Sequence, residues 1–161
     1  MSGMKLILGL GKTGVSCANY FNKLNMAYRV FDSRDVSELD QTTFTTLDSE
    51  NIFFNNFDKN LFDDIDEIII SPGFDRSHEI FREIRFRKIP CITDIDLFKK
   101  HCKKPIISVT GTNGKTTIVS MLEHVLLNTG IKAIACGNNG IPPLDVNSSN
   151  YDYIILELSS Y

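Results

Sequence analysis

Apolar residues fall in short bursts along this chain, and the spacing inside the bursts alternates between two kinds. Lys5–Leu8 is a brief apolar run that stops at Gly9, the pattern of a buried strand. From Thr13 to Leu24 the apolar positions Val15, Ala18, Phe21 and Leu24 return at helical spacing. Ala27–Phe31 reads as a second strand, stopped by Asp32. A strand, a helix and a strand in this order predict a parallel pair joined by a right-handed crossover.

Ser33–Ser49 is polar and poorly patterned and predicts a loop with a short helix. Ile52–Phe54 reads as an edge strand and Glu67–Ile70 as a buried one, followed at once by Ser71-Pro72-Gly73. Ser77–Lys88 predicts an amphipathic helix with Ile80, Phe81 and Ile84 inward and Arg82, Arg85 and Arg87 on a solvated face. Cys91–Thr93 is a further strand. The basic run and proline at His101–Pro105 then break the pattern. Beyond it lie a strand (Ile106–Val109), a helix (Lys115–Asn128, with Ile118, Val119, Leu122, Val125 and Leu126 at helical spacing) and strands at Ala133–Cys136 and Tyr153–Leu156. Gly130 is a plausible stop for that helix. The alternation predicts an α/β protein with parallel sheets. The expected division is residues 1–93 and 94–161.

Composition narrows the function. The 161 residues are 42% hydrophobic and 23% charged, ordinary for a globular chain, with a net charge of −3. That balance gives no general attraction to nucleic acid, so anionic ligands must be held by local devices. No apolar run approaches the ~18 residues needed to span a bilayer. The first residues run straight into a strand, which predicts no signal peptide. Cys17, Cys91, Cys102 and Cys136 are scattered, without a C-x-x-C pair or a histidine cluster. They read as reduced thiols of a cytoplasmic protein.

Two glycine-rich turns carry the chemistry. Thr110-Gly111-Thr112-Asn113-Gly114-Lys115-Thr116-Thr117 lies between a predicted strand and a predicted helix. Glycines let backbone amides wrap a phosphate, and the helix N-terminus adds its dipole. Lys115 would reach the β- and γ-phosphates, and the Thr116 hydroxyl would ligate Mg²⁺. The general phosphate-loop pattern has a glycine where this chain has Val109, so the loop is the shorter Gly111-x-x-Gly114-Lys115-Thr116. Glu157, closing the strand Tyr153–Leu156, stands where a nucleotide-bound Mg²⁺ needs a carboxylate.

The second turn, Gly9-Leu10-Gly11-Lys12-Thr13-Gly14, is a G-x-G-x-x-G between strand and helix, with Asp32 at about the spacing of 20 residues expected of dinucleotide sites. Its physical content is broader than NAD, because a tight turn and a helix N-terminus suit any nucleotide diphosphate. Ligands of open parallel sheets bind at the carboxyl ends of strands, which groups this turn with Asp32-Ser33-Arg34 and Ser71-Pro72-Gly73.

Together these motifs resemble the Mur ligase family. The loop 110–117 is similar to that family's variant of the ATP loop, and Glu157-Leu158-Ser159-Ser160-Tyr161 to its metal-binding strand end. The front motifs resemble the branch that adds D-glutamate. The resemblance implies a Rossmann-like domain for the uridine diphosphate of the substrate, followed by the first part of a P-loop-type ATPase domain. Gly11, Lys12, Thr13, Asp32, Ser33, Arg34, Ser71, Pro72, Gly73 and Asn138 match the substrate positions, although Asn139 stands where an aliphatic residue is usual. Gly111, Thr112, Asn113, Gly114, Lys115, Thr116 and Thr117 match the ATP positions, with Lys115 as the catalytic cation and Thr116 and Glu157 on the metal.

The implied cofactors are ATP and Mg²⁺, and the implied substrates UDP-N-acetylmuramoyl-L-alanine and D-glutamate. Family members are longer, so the resemblance also implies that a modified lysine and an amino-acid-binding domain lie outside these 161 residues. This chain alone is then expected not to complete ligation, and its second half to expose apolar area, which favours self-association or disorder. Two rival readings are another Mur-type ligase and a non-catalytic nucleotide- or NAD-binding Rossmann module. A general nucleoside triphosphatase is disfavoured by Val109.

Overall fold

A computed structural model describes residues 3–39, 45, 47–138 and 140–159. Asn139, Ser160, Tyr161 and part of the polar stretch 33–49 lie outside the described residues. The chain forms two compact units, Met1–Leu97 and Phe98–Tyr161.

The first unit is a parallel five-stranded sheet of β1 (Met4–Leu8), β2 (Tyr28–Asp32), β3 (Ile52–Phe54), β4 (Ile65–Ile70) and β5 (Cys91–Ile92), in the order β3-β2-β1-β4-β5. Successive residues of a strand face opposite sides. Leu6, Leu8, Phe31, Ile68 and Ile70 therefore build one core with Ile80, Phe81 and Ile84 of α2 (Ile80–Arg87). α1 (Lys12–Lys23) packs over β1 and β2 and buries Cys17, Ala18 and Phe21. Leu24, read as part of that face, is 45% exposed because the helix has ended at Lys23.

α2 starts three residues later than its apolar spacing predicts. The Asp75 carboxylate accepts from the Ser77 N–H and hydroxyl, both at 2.8 Å, and this local turn competes with helix. A further helix, α3 (Asp94–His101), stands where the sequence reading placed none. Thr93 and Asp96 cap it reciprocally: the Asp96 carboxylate accepts from Thr93 N–H at 3.0 Å, and Asp96 N–H donates to the Thr93 hydroxyl at 3.2 Å. Asp94 and Asp96 at its start and Lys99, Lys100 and His101 at its end both suit the helix dipole.

The second unit has a parallel three-stranded sheet, β6 (Ile106–Val109), β8 (Tyr153–Glu157) and β7 (Ala133–Gly137), in that order, with α4 (Lys115–Asn128) against it. Its core is small: Val119, Ala133 and Ile155, with Leu122 and Leu126 packed at the margin. Ile118 and Val125, read as inward-facing, are instead 49% and 57% exposed. A three-stranded sheet is too narrow to cover more than one stripe of α4, and they flank that stripe together with exposed Met121.

Candidate functional site

β6 ends at Val109, and the chain turns through 110–114 before α4 begins at Lys115. Gly111 and Gly114 have φ of +148° and +74°, so the loop curls back on itself. Among the described residues no side chain caps the N-terminus of α4. Its first amides are therefore the kind of orphan donors that suit an anion. The Lys115 ammonium donates to the Gly111 carbonyl at 2.6 Å, which holds the charge across the loop.

β8 runs between β6 and β7, and this order carries Glu157 to the loop. Glu157 pairs with Val109 on one side and Gly137 on the other. Glu157 is 3% exposed, and its Oε1 accepts from the Thr116 hydroxyl at 3.3 Å. Gly137 has φ +119°, and a β-carbon there would collide with the Glu157 carbonyl. Only glycine lets β7 leave the sheet this close to Glu157. Asn138 follows, with its N–H donating to the Glu157 carbonyl at 2.9 Å. A cavity of about 520 Å³ is lined by Thr112, Asn113, Gly114, Lys115, Thr116, Thr117, Asn138 and Glu157. Asn138, assigned by resemblance to the nucleotide-sugar side, thus shares the cavity of the loop.

A hydroxyl and a buried carboxylate in contact, beside a loop for phosphate, are a donor set that suits Mg²⁺. That ion favours one or two protein oxygens, with waters and substrate phosphates completing its shell. Among the described residues no group of three or more His, Cys, Asp or Glu side chains is gathered for a metal.

The first unit has a crevice of its own. It lies where the strand order reverses, at the carboxyl ends of β1 and β4. The Ser71 hydroxyl donates to the Gly9 carbonyl at 3.3 Å, and the ring of Phe74 backs Gly9. A β-carbon on Gly14 would strike the Gly9 carbonyl, so this glycine sets the close approach of α1 to the turn. Gly11 precedes α1, and Lys12 and Thr13 open its first turn. Pro72 and Gly73 form an exposed turn closed by Phe74 N–H donating to the Ser71 carbonyl at 3.1 Å.

Asp32 is 2% exposed, and its carboxylate is heavily engaged. Oδ2 accepts from Leu10 N–H at 2.6 Å and from Arg34 Nη2 at 2.8 Å. Oδ1 accepts from Arg34 N–H at 3.0 Å and Arg34 Nε at 2.9 Å. Burial pushes the carboxyl up, but the Arg34 side chain, the Leu10 and Arg34 amides and the guanidinium charge outweigh it and hold it below its ordinary value. The Arg34 side chain is pinned by this fork yet 48% exposed, and Ser33 sits half-buried between the two. The glycine turn, Asp32–Arg34 and Ser71 are thus brought together at one sheet edge. The engagement of Leu10 N–H by Asp32 is invisible in the sequence pattern, which signals only a tight turn.

Comparison with known proteins gives the two units separate matches. Residues 3–93 match the family described as Mur ligase MurD-like, N-terminal domain, and residues 109–161 match the Mur ligase middle domain. The chain belongs to the Mur ligase family. Among curated Mur ligases, it is 39% identical over 158 residues to the UDP-N-acetylmuramoylalanine–D-glutamate ligase of Buchnera aphidicola subsp. Schizaphis graminum, covering 97% of this chain and 35% of that protein. It is 34% identical to the ligase of the same name from Coxiella burnetii, covering 98% of this chain and 36% of the relative.

The chain therefore spans about a third of the length of these Mur ligases. The fold also resembles solved Mur ligases. One is UDP-N-acetylmuramate:L-alanyl-gamma-D-glutamyl-meso-diaminopimelate ligase from Neisseria meningitides, with a TM-score of 0.59 at 21% identity over 98% of this chain and 52% of that one. Another is a murein peptide ligase from Psychrobacter arcticus, with a TM-score of 0.60 at 18% identity over 99% of this chain and 38% of that one.

Proposed function

We propose that this chain carries the nucleotide-sugar and ATP-phosphate sites of a cytoplasmic, Mg²⁺-dependent ligase that joins D-glutamate to UDP-N-acetylmuramoyl-L-alanine in building cell-wall precursors. The observation that carries the reading is the shared cavity of the loop 111–117, Asn138 and Glu157. The similarity to ligases named for that reaction supports the choice of amino acid. Among the described residues no helix is long and apolar enough to cross a membrane.

The reaction runs in two steps. An oxygen of the substrate carboxylate attacks the γ-phosphorus of ATP, the bond to the β-phosphate oxygen breaks, and ADP leaves an acyl phosphate. The D-glutamate amine then attacks the acyl carbon, phosphate departs, and the amine proton is lost to form the amide. The chain's contribution is positioning and charge. Loop amides and Lys115 hold the phosphates, and Lys115 must exchange the Gly111 carbonyl for phosphate oxygens as nucleotide enters. Thr116 and Glu157 would hold Mg²⁺, which supplies neutralising charge on the triphosphate when bound.

The front crevice favours a uridine nucleotide over NAD. An NAD site uses its strand-end carboxylate to accept the ribose hydroxyls. Here the Asp32 carboxylate already receives four N–H donors, so a ribose diol would have to displace the Leu10 amide or Arg34. Thermal shift with UDP-N-acetylmuramoyl-L-alanine, NAD and ATP·Mg²⁺ tests this. Stabilisation by the first and third is expected. Stabilisation by NAD alone would replace the ligase reading with a dinucleotide-binding module.

A further inference from the structure

We infer that His78 is a positioning residue for the crevice of the first unit, and that it holds the crevice's walls only as a neutral imidazole. The inference rests on the reading of that crevice as a nucleotide site. His78 stands just before α2, and the Glu79 side chain at the start of that helix makes no capping bond. Instead the His78 Nδ1 accepts from the Ile80 N–H at 3.2 Å and satisfies one of the amides that open the helix. A backbone N–H can only donate, so Nδ1 must present its lone pair and the ring's proton must sit on Nε2. An imidazolium carries hydrogen on both nitrogens and cannot accept this bond.

The same ring packs against residues that carry the crevice. Its centroid lies 5.8 Å from that of Phe31, the residue before Asp32, and 5.7 Å from that of Phe74, the residue after Ser71-Pro72-Gly73. Phe57 closes the group at 6.1 Å. Phe31 and Phe74 are buried with centroids 6.2 Å apart, and the Phe74 ring backs Gly9. The strand end that carries Asp32, the 71–73 turn and the glycine turn thus meet on two rings that His78 ties to α2. A phenyl ring at this position could pack as well but could not accept from Ile80. The segments packed on the imidazole present uncharged rings, and the carboxylates beside those rings are engaged. Asp32 accepts from Leu10 and Arg34, and Asp58 from the Asn60 N–H. On α2, Glu83 pairs with Arg87. In the turn itself Asp75, which senses the His78 charge, already accepts from Ser77, Arg76 reaches over Phe81, and Glu79 is exposed. Charging the imidazole therefore breaks its link to α2 and loosens both walls at once.

The experiment compares the chain with His78→Phe, which keeps a ring and loses the acceptor, and with His78→Asn, whose carboxamide oxygen takes the place of Nδ1 and does not titrate. The first readout needs no ligand. His78 is the one histidine of the first unit, because His101 and His124 fall in the second. Its ring protons and the backbone amides of Gly9, Gly73, Phe74 and Ile80 are followed by NMR from about pH 8 to about pH 5, where histidine alone among unperturbed side chains changes charge. All four amides are expected to shift with the midpoint of the His78 ring and to stay in place in His78→Phe. An Ile80 amide that titrates while the other three do not would overturn the proposal.

The second readout is affinity for UDP-N-acetylmuramoyl-L-alanine by calorimetry over the same range, in which the ligand's carboxylate and diester phosphates stay ionised. Wild-type binding is expected to weaken by about three- to tenfold from about pH 8 to about pH 5, the worth of one hydrogen bond. His78→Phe should show that loss already at about pH 8, and neither variant should depend on pH. ATP·Mg²⁺ binding, in the second unit, should not change in either variant. A pH-independent wild type, or a His78→Phe chain that binds as tightly as wild type, would overturn the proposal. Equal losses for both ligands would mark a purely structural role and also overturn it. Should a variant misfold, the wild-type titration decides alone. A wild-type chain that binds no nucleotide sugar at about pH 8 would sink the nucleotide reading of the crevice instead, and the amide titration would still decide the role of His78.

Discussion

The Thr116 hydroxyl donates to Glu157 Oε1 at 3.3 Å, joining the first turn of one helix to the end of a strand 41 positions later. The contact exists because β8 lies beside β6, so the strand that enters the phosphate loop and the strand that ends in Glu157 are hydrogen-bonded neighbours. Neither residue makes a site alone. Together they bring a hydroxyl and a buried carboxylate into contact, the pair of oxygens that the proposed Mg²⁺ site requires.

Glu157→Gln keeps the shape of that pair and removes its charge. Calorimetry should show that Mg²⁺ strengthens ATP binding by the wild-type chain and that most of this gain is lost in the variant, by about tenfold or more. Affinity for ATP without Mg²⁺ should change little. Equal Mg²⁺ enhancement in both proteins would remove Glu157 from the metal site.

Gly137→Ala tests the geometry that brings β7 to Glu157. The added methyl meets the Glu157 carbonyl at a left-handed φ, and overpacking of this kind costs about 1–3 kcal/mol. Urea unfolding of the second unit should report that loss. Gly73→Ala, at a position with open space, should leave stability within about 0.5 kcal/mol of wild type.

Much of this arrangement is legible in the sequence, for stated reasons. The bounds of the strand Ile106–Val109 and the helix Lys115–Asn128 are legible because turn residues flank both. The buried side of α4 is narrower than its periodicity, which marks Ile118 and Val125 as apolar without saying how wide the covering sheet is. α3 is masked in the sequence by the basic run and proline that close it. Its signal was present in Thr93-x-x-Asp96, a capping pair that the structure closes. Side-chain orientation was out of reach. No spacing rule shows that Asp32 accepts from Leu10 N–H, or that Ser159 reaches Asn138.

Asp32 predicts a pH dependence. Its folded carboxyl titrates below its ordinary value of 3.8, so the unfolded chain takes up this proton first as pH falls. The stability Asp32 contributes is complete above the unfolded value and is lost as pH drops through the folded one. The urea midpoint of Asp32→Asn should lie below wild type from neutral pH down to roughly pH 4. The gap should close below that. A gap that stays constant to pH 2 would show that charge is not what Asp32 contributes.

Asp94 predicts the opposite sign. It is 5% exposed, its Oδ1 is buried without a hydrogen-bond partner, and burial holds its carboxyl above the ordinary value. The folded chain therefore keeps this proton longer than the unfolded one, and stability falls as pH rises from the unfolded value through the folded one. Asp94→Asn removes the ionisation and keeps the shape of the side chain, while Thr93 and Asp96 still cap the helix. It should match wild type near pH 3 and exceed it at pH 7 by about 1 kcal/mol. A variant less stable than wild type at pH 7 would contradict this.

Titration of ATP·Mg²⁺ into the ¹⁵N-labelled chain, followed at the backbone amides, tests the phosphate cradle most directly. The account predicts that the amides of residues 111–117 shift together, saturably, and that Lys115→Ala weakens the titration by about tenfold or more. Unmoved loop amides, or a Lys115→Ala chain that binds as tightly as wild type, would contradict it.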